Sequence, residues 1–319
     1  MALNRRTTVA AVYDRRRSLN WWTVGAHRAP LQLLIGFLVA ASVVSGMQNQ
    51  TLKVDVPVVL VNATVSDLKG RLVAGLERQH FRLWEDDVEQ KLEYFSLEDM
   101  PLSVGLVFDA TGSMADKLTA ARDAAAAFLR TSNPHDEYFL IEFSDQPKLV
   151  QDFTTDISRL QKEIFSTSAR GLTPLFDSVH LGLEKIKDAR NTKRALLIIS
   201  DGEDNRSHYT FSDIREFARQ QDAQIYAIGL INGFEGKMTI GDLVETTGGR
   251  AFFPNSVNQL EDICTRIALE LKNQYLLGYR SANAAKDGTW RQIRVEVNPP
   301  RGLPPLAVRA RTGYYAPKL

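Results

Sequence analysis

The sequence predicts an α/β protein in which a doubly wound, mostly parallel sheet is inserted in a smaller β-sandwich-like domain built from both flanks. Three observations carry this. The runs SVGLVFD (103–109), EYFLIEF (137–143), ALLIIS (195–200) and AQIYAIGL (223–230) are apolar on both faces, as strands covered by helices on each side are. Amphipathic stretches alternate with these runs over about 170 residues, the signature of strand–helix winding. Segments with the two-residue periodicity of antiparallel strands stand before and after this region.

The helical stripes are Leu118, Ala121, Ala125 and Phe128; Leu175, Val179, Leu183 and Ile186; Ile214, Phe217 and Ala218; and Leu260, Ile263, Ile267 and Leu271. Ser256 with Gln259 has the spacing of a capping box for the last of these. In the first flank, Val56 to Val65 alternates and is rich in β-branched residues, turn signals follow at Asp67–Gly70 and Gly75, and Phe81, Leu83, Leu92 and Tyr94 alternate again, which predicts four short strands. In the second flank, Tyr275–Tyr279, Trp290–Val297 and Leu306–Tyr315 read as strands, with Asp287-Gly288 as a hairpin signal. Each flank alone is too short for a comfortable core. The two are expected to pair with each other; the alternative is that each packs separately on the α/β body. The expected boundaries are 1–47, 50–99, 100–272 and 273–319.

The chain has 319 residues with 44% hydrophobic and 24% charged, which excludes collagen-like, disordered and multi-pass membrane classes. The net charge of +1 hides an asymmetry. Residues 1–47 hold six Arg against one acid, Asp14, and the remainder is mildly acidic with 33 basic and 37 acidic residues. No basic patch argues for nucleic acid. Leu31–Val44 is an apolar run behind the Arg-rich leader and before the small residues Ser45 and Gly46, which is the order of a secretory signal. It is shorter than the ~20 residues of a spanning helix. Export is expected, the segment being cleaved as a signal peptide or kept as an anchor (31–47), with the body periplasmic, secreted or membrane-anchored. The single Cys264, on the inner stripe of the last helix, reads as core packing and excludes an internal disulfide or a Cys-based zinc cluster. The five His show no metal-ligand spacing.

Three motifs converge. The first apolar strand ends in Asp109-Ala110-Thr111-Gly112-Ser113, a helix start reads Gly171-Leu172-Thr173-Pro174, and the third strand ends in Ser200-Asp201-Gly202-Glu203-Asp204. Ligands of open α/β sheets bind outside the carboxyl ends of the strands, where the winding reverses. Asp109 and Asp201 with the hydroxyls of Thr111, Ser113 and Thr173 make a hard-oxygen set suited to Mg²⁺ or Mn²⁺. Few of its ligands are charged, so a bound ion keeps an open position with positive character. Each residue also has a purely structural use. Asp109 can cap the following helix, Thr173 before Pro174 fits an N-cap, and Asp201-Gly202 fits a turn.

Asp109-x-Thr111-x-Ser113 with Thr173 and Asp201 resembles the metal-ion-dependent adhesion site of von Willebrand factor A-type domains, with Thr111 in place of the usual Ser. Thr247-Gly248-Gly249-Arg250 before a late edge strand is also similar to this family. The QYLLGY segment (274–279) and the GYYAP ending (313–317) resemble a bacterial group in which β segments bracket the domain. The resemblance covers about residues 100–272 and implies a six-stranded sheet, direct metal ligation by Thr111, Ser113 and Thr173, and Asp109 and Asp201 acting largely through waters. It also implies that Thr173 joins the metal when a ligand binds, with a shift of the last helix. The partner it implies is a protein offering an Asp or Glu carboxylate, for adhesion or assembly without turnover, with Glu203 and Asp204 on the rim. The alternatives are an envelope scaffold with a fold-stabilising metal and, more weakly, a Mg²⁺-dependent phosphoester hydrolase. No hydrolase elbow or phosphate loop is present, and no Lys or His base sits at a matching position in the sequence, so no enzyme is expected.

Overall fold

The computed structural model describes residues 57–318 apart from positions 203, 231 and 232. The apolar run 31–44 lies outside the described residues. Among the described residues no helix is long and apolar enough to cross a membrane.

The first flank forms β1 (Val58–Asp67), β2 (Phe81–Glu85), β3 (Val88–Gln90) and β4 (Leu92–Ser96). The α/β body follows: β5 (Leu102–Asp109), α1 (Leu118–Arg130), β6 (Glu137–Phe143), β7 (Pro147–Thr154), α2 (Ile157–Ser166), α3 (Leu175–Lys185), β8 (Lys193–Ser200), α4 (Phe211–Arg219), β9 (Gln224–Gly229), α5 (Phe234–Thr246), β10 (Arg250–Phe252) and α6 (Leu260–Lys272). The second flank supplies β11 (Tyr275–Arg280), β12 (Trp290–Val297), β13 (Leu306–Ala310) and β14 (Gly313–Tyr315).

The body's sheet has the order β10-β9-β8-β5-β6-β7. Every neighbouring pair is parallel except β6 with β7. Alternate residues of one strand enter two different cores, which is why the strands read as unbroken apolar runs. Leu106 of β5 and Leu197 of β8 pack with α1, α2 and α6. Val107 and Ile198 pack with α3, α4 and α5 on the other face. The chain winds from β5 out to β7, then returns to β8 on the opposite side of β5. The winding therefore reverses between β5 and β8, and their carboxyl ends flank the crevice.

β7, α2 and α5 escape the sequence patterns. β7 is an antiparallel edge strand and half polar, so it carries no strong alternation. α2 buries only Leu160 and Ile164. α5 leaves Phe234 and Met238 exposed among its polar residues, which blurs its apolar stripe. The Thr247-Gly248-Gly249 turn is where glycine is required: Gly248 has φ +79°, and a Cβ on Gly249 would stand 1.9 Å from the carbonyl oxygen of Ile225.

The flanks interleave. One antiparallel sheet has the order β13-β1-β11-β4 and the other β14-β12-β2-β3, so each takes strands from both ends of the chain. Val61 lies opposite Leu277, and Leu83 opposite Val295. Between the sheets, Val61, Ala63, Leu83, Tyr275, Leu277 and Tyr279 form a separate core. The buried Glu85 carboxylate is satisfied by hydroxyls alone: Tyr279 and Tyr314 donate at 2.7 and 2.9 Å, and Ser281 donates to its other oxygen.

Three local expectations need correction. Asp287-Gly288 does not turn a hairpin, because β11 and β12 belong to different sheets; Asp287 instead accepts from Thr289 N and pairs with Arg291. Ser256 caps a short 3-10 turn (Val257–Gln259) rather than α6 itself, and Gln259 accepts from Asn255 N. The expected strand 306–315 breaks into β13 and β14, which pair in different sheets. Cys264 is fully buried in the core against α1, as read from the sequence.

The body and the β domain share polar joints. Glu270 near the end of α6 is buried, yet accepts from Arg250 at 3.0 Å and from Arg309 of β13 at 2.5 Å. Gln274 donates to Gln224 Oε1 of β9 and to Thr64 Oγ1 of β1. Only Asn273 and Gln274 separate α6 from β11.

Two predictions follow from these buried charges. Glu270→Gln is expected to destabilise the protein by about 2–3 kcal/mol in urea titrations, less than the ~3–5 kcal/mol of a fully buried pair because the partly exposed arginines can rehydrate. A loss under about 0.5 kcal/mol would show that the joint contributes little. Burial pulls Lys193 down from 10.5 to about 8, against Asp99 and Asp136, which raise it. Between those values the unfolded chain holds the proton and the folded protein does not, so stability rises with pH across that interval and is lowest below it. Lys193→Met should raise stability at pH 7 by roughly 1–3 kcal/mol and abolish the rise; an unchanged pH profile would contradict this.

Candidate metal centre

β5 delivers Asp109 to the end of the sheet, where it is fully buried. Its Oδ1 accepts from Thr111 N at 2.9 Å and its Oδ2 from Ser200 Oγ, at the end of β8, at 2.5 Å. Asp109 thus forms a local turn bridged to the neighbouring strand and does not cap α1. The next residues bend through a 3-10 turn (Gly112–Met114) that Met114 anchors in the core, which turns Ser113 outward. Thr111 Oγ1 and Ser113 Oγ lie 3.0 Å apart. Ser113 Oγ donates to Asp201 Oδ1 at 2.8 Å.

The loop bearing Thr173 is tied to both other motifs through main-chain groups. Arg170 N donates to Ala110 O at 2.8 Å, and Gly112 N to Gly171 O at 3.2 Å. Asn205 holds Thr173 from both sides: its Oδ1 accepts from Thr173 N at 3.0 Å and its N donates to Thr173 O at 3.1 Å. The Thr173 side chain packs on Gly202, where an added Cβ would meet Oγ1 at 3.2 Å. All five residues singled out in the sequence therefore border one crevice between β5, β8 and the start of α3.

The capping role expected of Thr173 belongs to Asp204. Its Oδ2 accepts from Phe176 N at 2.9 Å in the first turn of α3, and Ser207 N and Oγ donate to the same carboxylate. The Asp204 carboxylate is engaged inside the loop rather than free at the rim. Glu203 lies outside the described residues.

Burial pushes the Asp109 carboxyl up from its ordinary value, against the hydrogen bonds of Ser200 and Thr111, and the nearby Asp201 adds to the rise. Two carboxylates sharing a shielded crevice favour a cation there. The described residues supply one that the sequence patterns missed. Lys117 Nζ donates to Asp201 Oδ2 at 2.5 Å and to Ser113 O at 3.2 Å. Lys117 follows Ser113 by four residues across the 3-10 turn, a spacing that brings its ammonium back over the motif.

The donor set fits a small hard divalent ion. It offers three hydroxyl oxygens and two carboxylates from three chain segments at one edge of the sheet. Among the described residues no cluster of three or more His, Cys, Asp and Glu is found, so a soft-metal site has no ligands to build on. Thr111, Ser113 and Thr173 would hold a magnesium ion, with Asp109 and Asp201 behind them.

Residues 104–203 match the family model of the von Willebrand factor type A domain. No curated protein matches the chain. Among solved structures, the PilB minor pilin from Streptococcus sanguinis is 12% identical, with 55% of this chain and 62% of that chain covered and a TM-score of 0.46; the match thus spans less than two thirds of that pilin. A von Willebrand factor type A protein from Catenulispora acidiphila is 10% identical over 81% of this chain and 74% of that one, with a TM-score of 0.47. BatB, a conserved hypothetical protein from Bacteroides thetaiotaomicron, is 17% identical over 54% of this chain and 99% of that one, with a TM-score of 0.44. The sheet order and the winding reversal agree with the family match over residues 104–203: the α/β body of this chain has a von Willebrand factor type A-like fold.

Proposed function

We propose that this chain is an exported, Mg²⁺-dependent protein-binding module for adhesion or assembly, which takes an Asp or Glu carboxylate of a partner protein at the crevice between β5 and β8. The observation that carries the reading is the convergence of Asp109, Thr111, Ser113, Thr173 and Asp201 on one edge of the sheet. A magnesium or manganese ion held there supplies a positive point with an open coordination position. The chain's own residues do the rest. Ser200 and Thr111 N orient Asp109, Ser113 bridges to Asp201, and Asn205 sets the height of the Thr173 loop. The export half of the proposal rests on the Arg-flanked apolar run 31–44.

One observation weighs against the scaffold alternative, in which the metal only stabilises the fold. Asp109, Ser113 and Asp201 already have protein hydrogen-bond partners, so the fold does not call for the ion to satisfy them. Weak single contacts through an ion favour multivalent display on a surface or an assembly.

Affinity capture from envelope extract in Mg²⁺, with EDTA elution, tests the function. The wild-type domain is expected to release bound protein on chelation and Asp109→Ala to retain none, while EDTA lowers the melting temperature only by the small amount that loss of a weakly bound ion entails. Capture that survives both EDTA and Asp109→Ala would contradict the reading; a melting temperature lowered by EDTA with capture intact would favour the scaffold. Ser200→Ala, which removes the bond that orients Asp109, should weaken Mg²⁺ binding roughly tenfold by calorimetry. Affinity changed by less than about twofold would place Asp109 outside the metal's support.

A further inference from the structure

Lys117 lies outside the oxygen set that makes up the candidate metal centre, yet it is the cation closest to hand in that crevice. Its ammonium reaches Asp201 Oδ2 at 2.5 Å while the other oxygen, Oδ1, accepts from Ser113 Oγ at 2.8 Å. Both oxygens of Asp201 are therefore engaged, one by a hydroxyl assigned to the metal and one by the ammonium. The Asp201 side chain is 1% exposed and that of Lys117 is 28% exposed, so the pair is shielded from water more than a surface ion pair is. The stem leaves from an ordered turn: Lys117 N donates to Met114 O at 2.9 Å, directly before α1. The ammonium also has somewhere to go. Asp116 Oδ1, on a side chain 82% exposed, is 3.9 Å from Nζ on the solvent side.

We propose that Lys117 is a tethered cation that competes with the divalent ion for Asp201, so that metal enters as the ammonium withdraws toward Asp116 and solvent. The inference rests on the metal-centre reading above and deepens it. A divalent ion and an ammonium sharing one carboxylate repel each other, so the ion must displace a bond already made. The metal affinity is thereby set below what the five oxygen donors alone would give. The same ion pair keeps Asp201 neutralised and the crevice in order when metal is scarce. Loading then responds to the free magnesium concentration instead of being permanent, and partner binding inherits that response.

The test is calorimetric titration of MgCl₂ into the metal-stripped protein for wild type, Lys117→Met, Lys117→Gln and Lys117→Arg, with thermal melting in EDTA as a second readout. Lys117→Met and Lys117→Gln, which remove the charge, are expected to tighten Mg²⁺ binding about fivefold or more, and Lys117→Arg, which keeps it, to stay within about twofold of wild type. In EDTA the two neutral variants should melt below wild type, because a shielded carboxylate has lost its cation, and the difference should shrink in saturating MgCl₂. If the neutral variants bind Mg²⁺ as wild type does, or more weakly, Lys117 is not a competitor and the metal centre stands without it. If none of the four proteins binds Mg²⁺, this inference and the metal-centre reading both fall. Lys117→Gln keeps the stem and a hydrogen-bond donor, so the comparison survives a folding defect in Lys117→Met.

Discussion

Asp109 and Asp201 stand at the ends of adjacent parallel strands, and the charge they place in one shielded crevice is what the surrounding structure is arranged around. Burial and mutual repulsion both oppose two ionised carboxylates there. The protein answers with directed donors: Ser200 and Thr111 N on Asp109, Ser113 and Lys117 on Asp201. These contacts come from β5, β8 and the turn before α1. The crevice is a consequence of sheet topology, since only where the winding reverses do two strand ends leave an uncovered gap between the helices that follow them.

The β domain bears on this edge of the protein through α6. That helix packs on α1, is joined to β11 by two residues, and its Glu270 is held by Arg309 of β13. Arg266 of the same helix donates to Gly70 O in the first flank at 2.6 Å. α6 is thereby held to both flanks, to the second through β11 and Arg309 and to the first through Gly70.

The placement of most of the candidate site could be read from the residues because its logic is local. A strand that is apolar on both faces must be central, and a polar cluster just past its carboxyl end must face solvent or a ligand, so the placement of Asp109, Ser113 and Asp201 was legible from SVGLVFD and ALLIIS with the residues that follow each run. Their convergence needed only the winding rule. What escaped were features decided by tertiary contact. Asp204 took the helix cap expected of Thr173 because the β8–α4 loop folds back over α3, which no short-range pattern reveals. Lys117 carries no short-range signal, since it is the 3-10 turn that brings it onto Asp201. β7 and α2 bury too little to leave a strong periodicity, and Asp287-Gly288 carries hairpin chemistry at a crossing between two sheets.

The most direct measurement of the central claim is anomalous diffraction from crystals soaked in manganese chloride. The account predicts a single strong peak in the crevice, with the Ser113, Thr111 or Thr173 hydroxyls within the ~2.0–2.6 Å of hard-cation coordination and Lys117 turned away from Asp201. An empty crevice at saturating manganese, with the Lys117–Asp201 pair still closed, would contradict it.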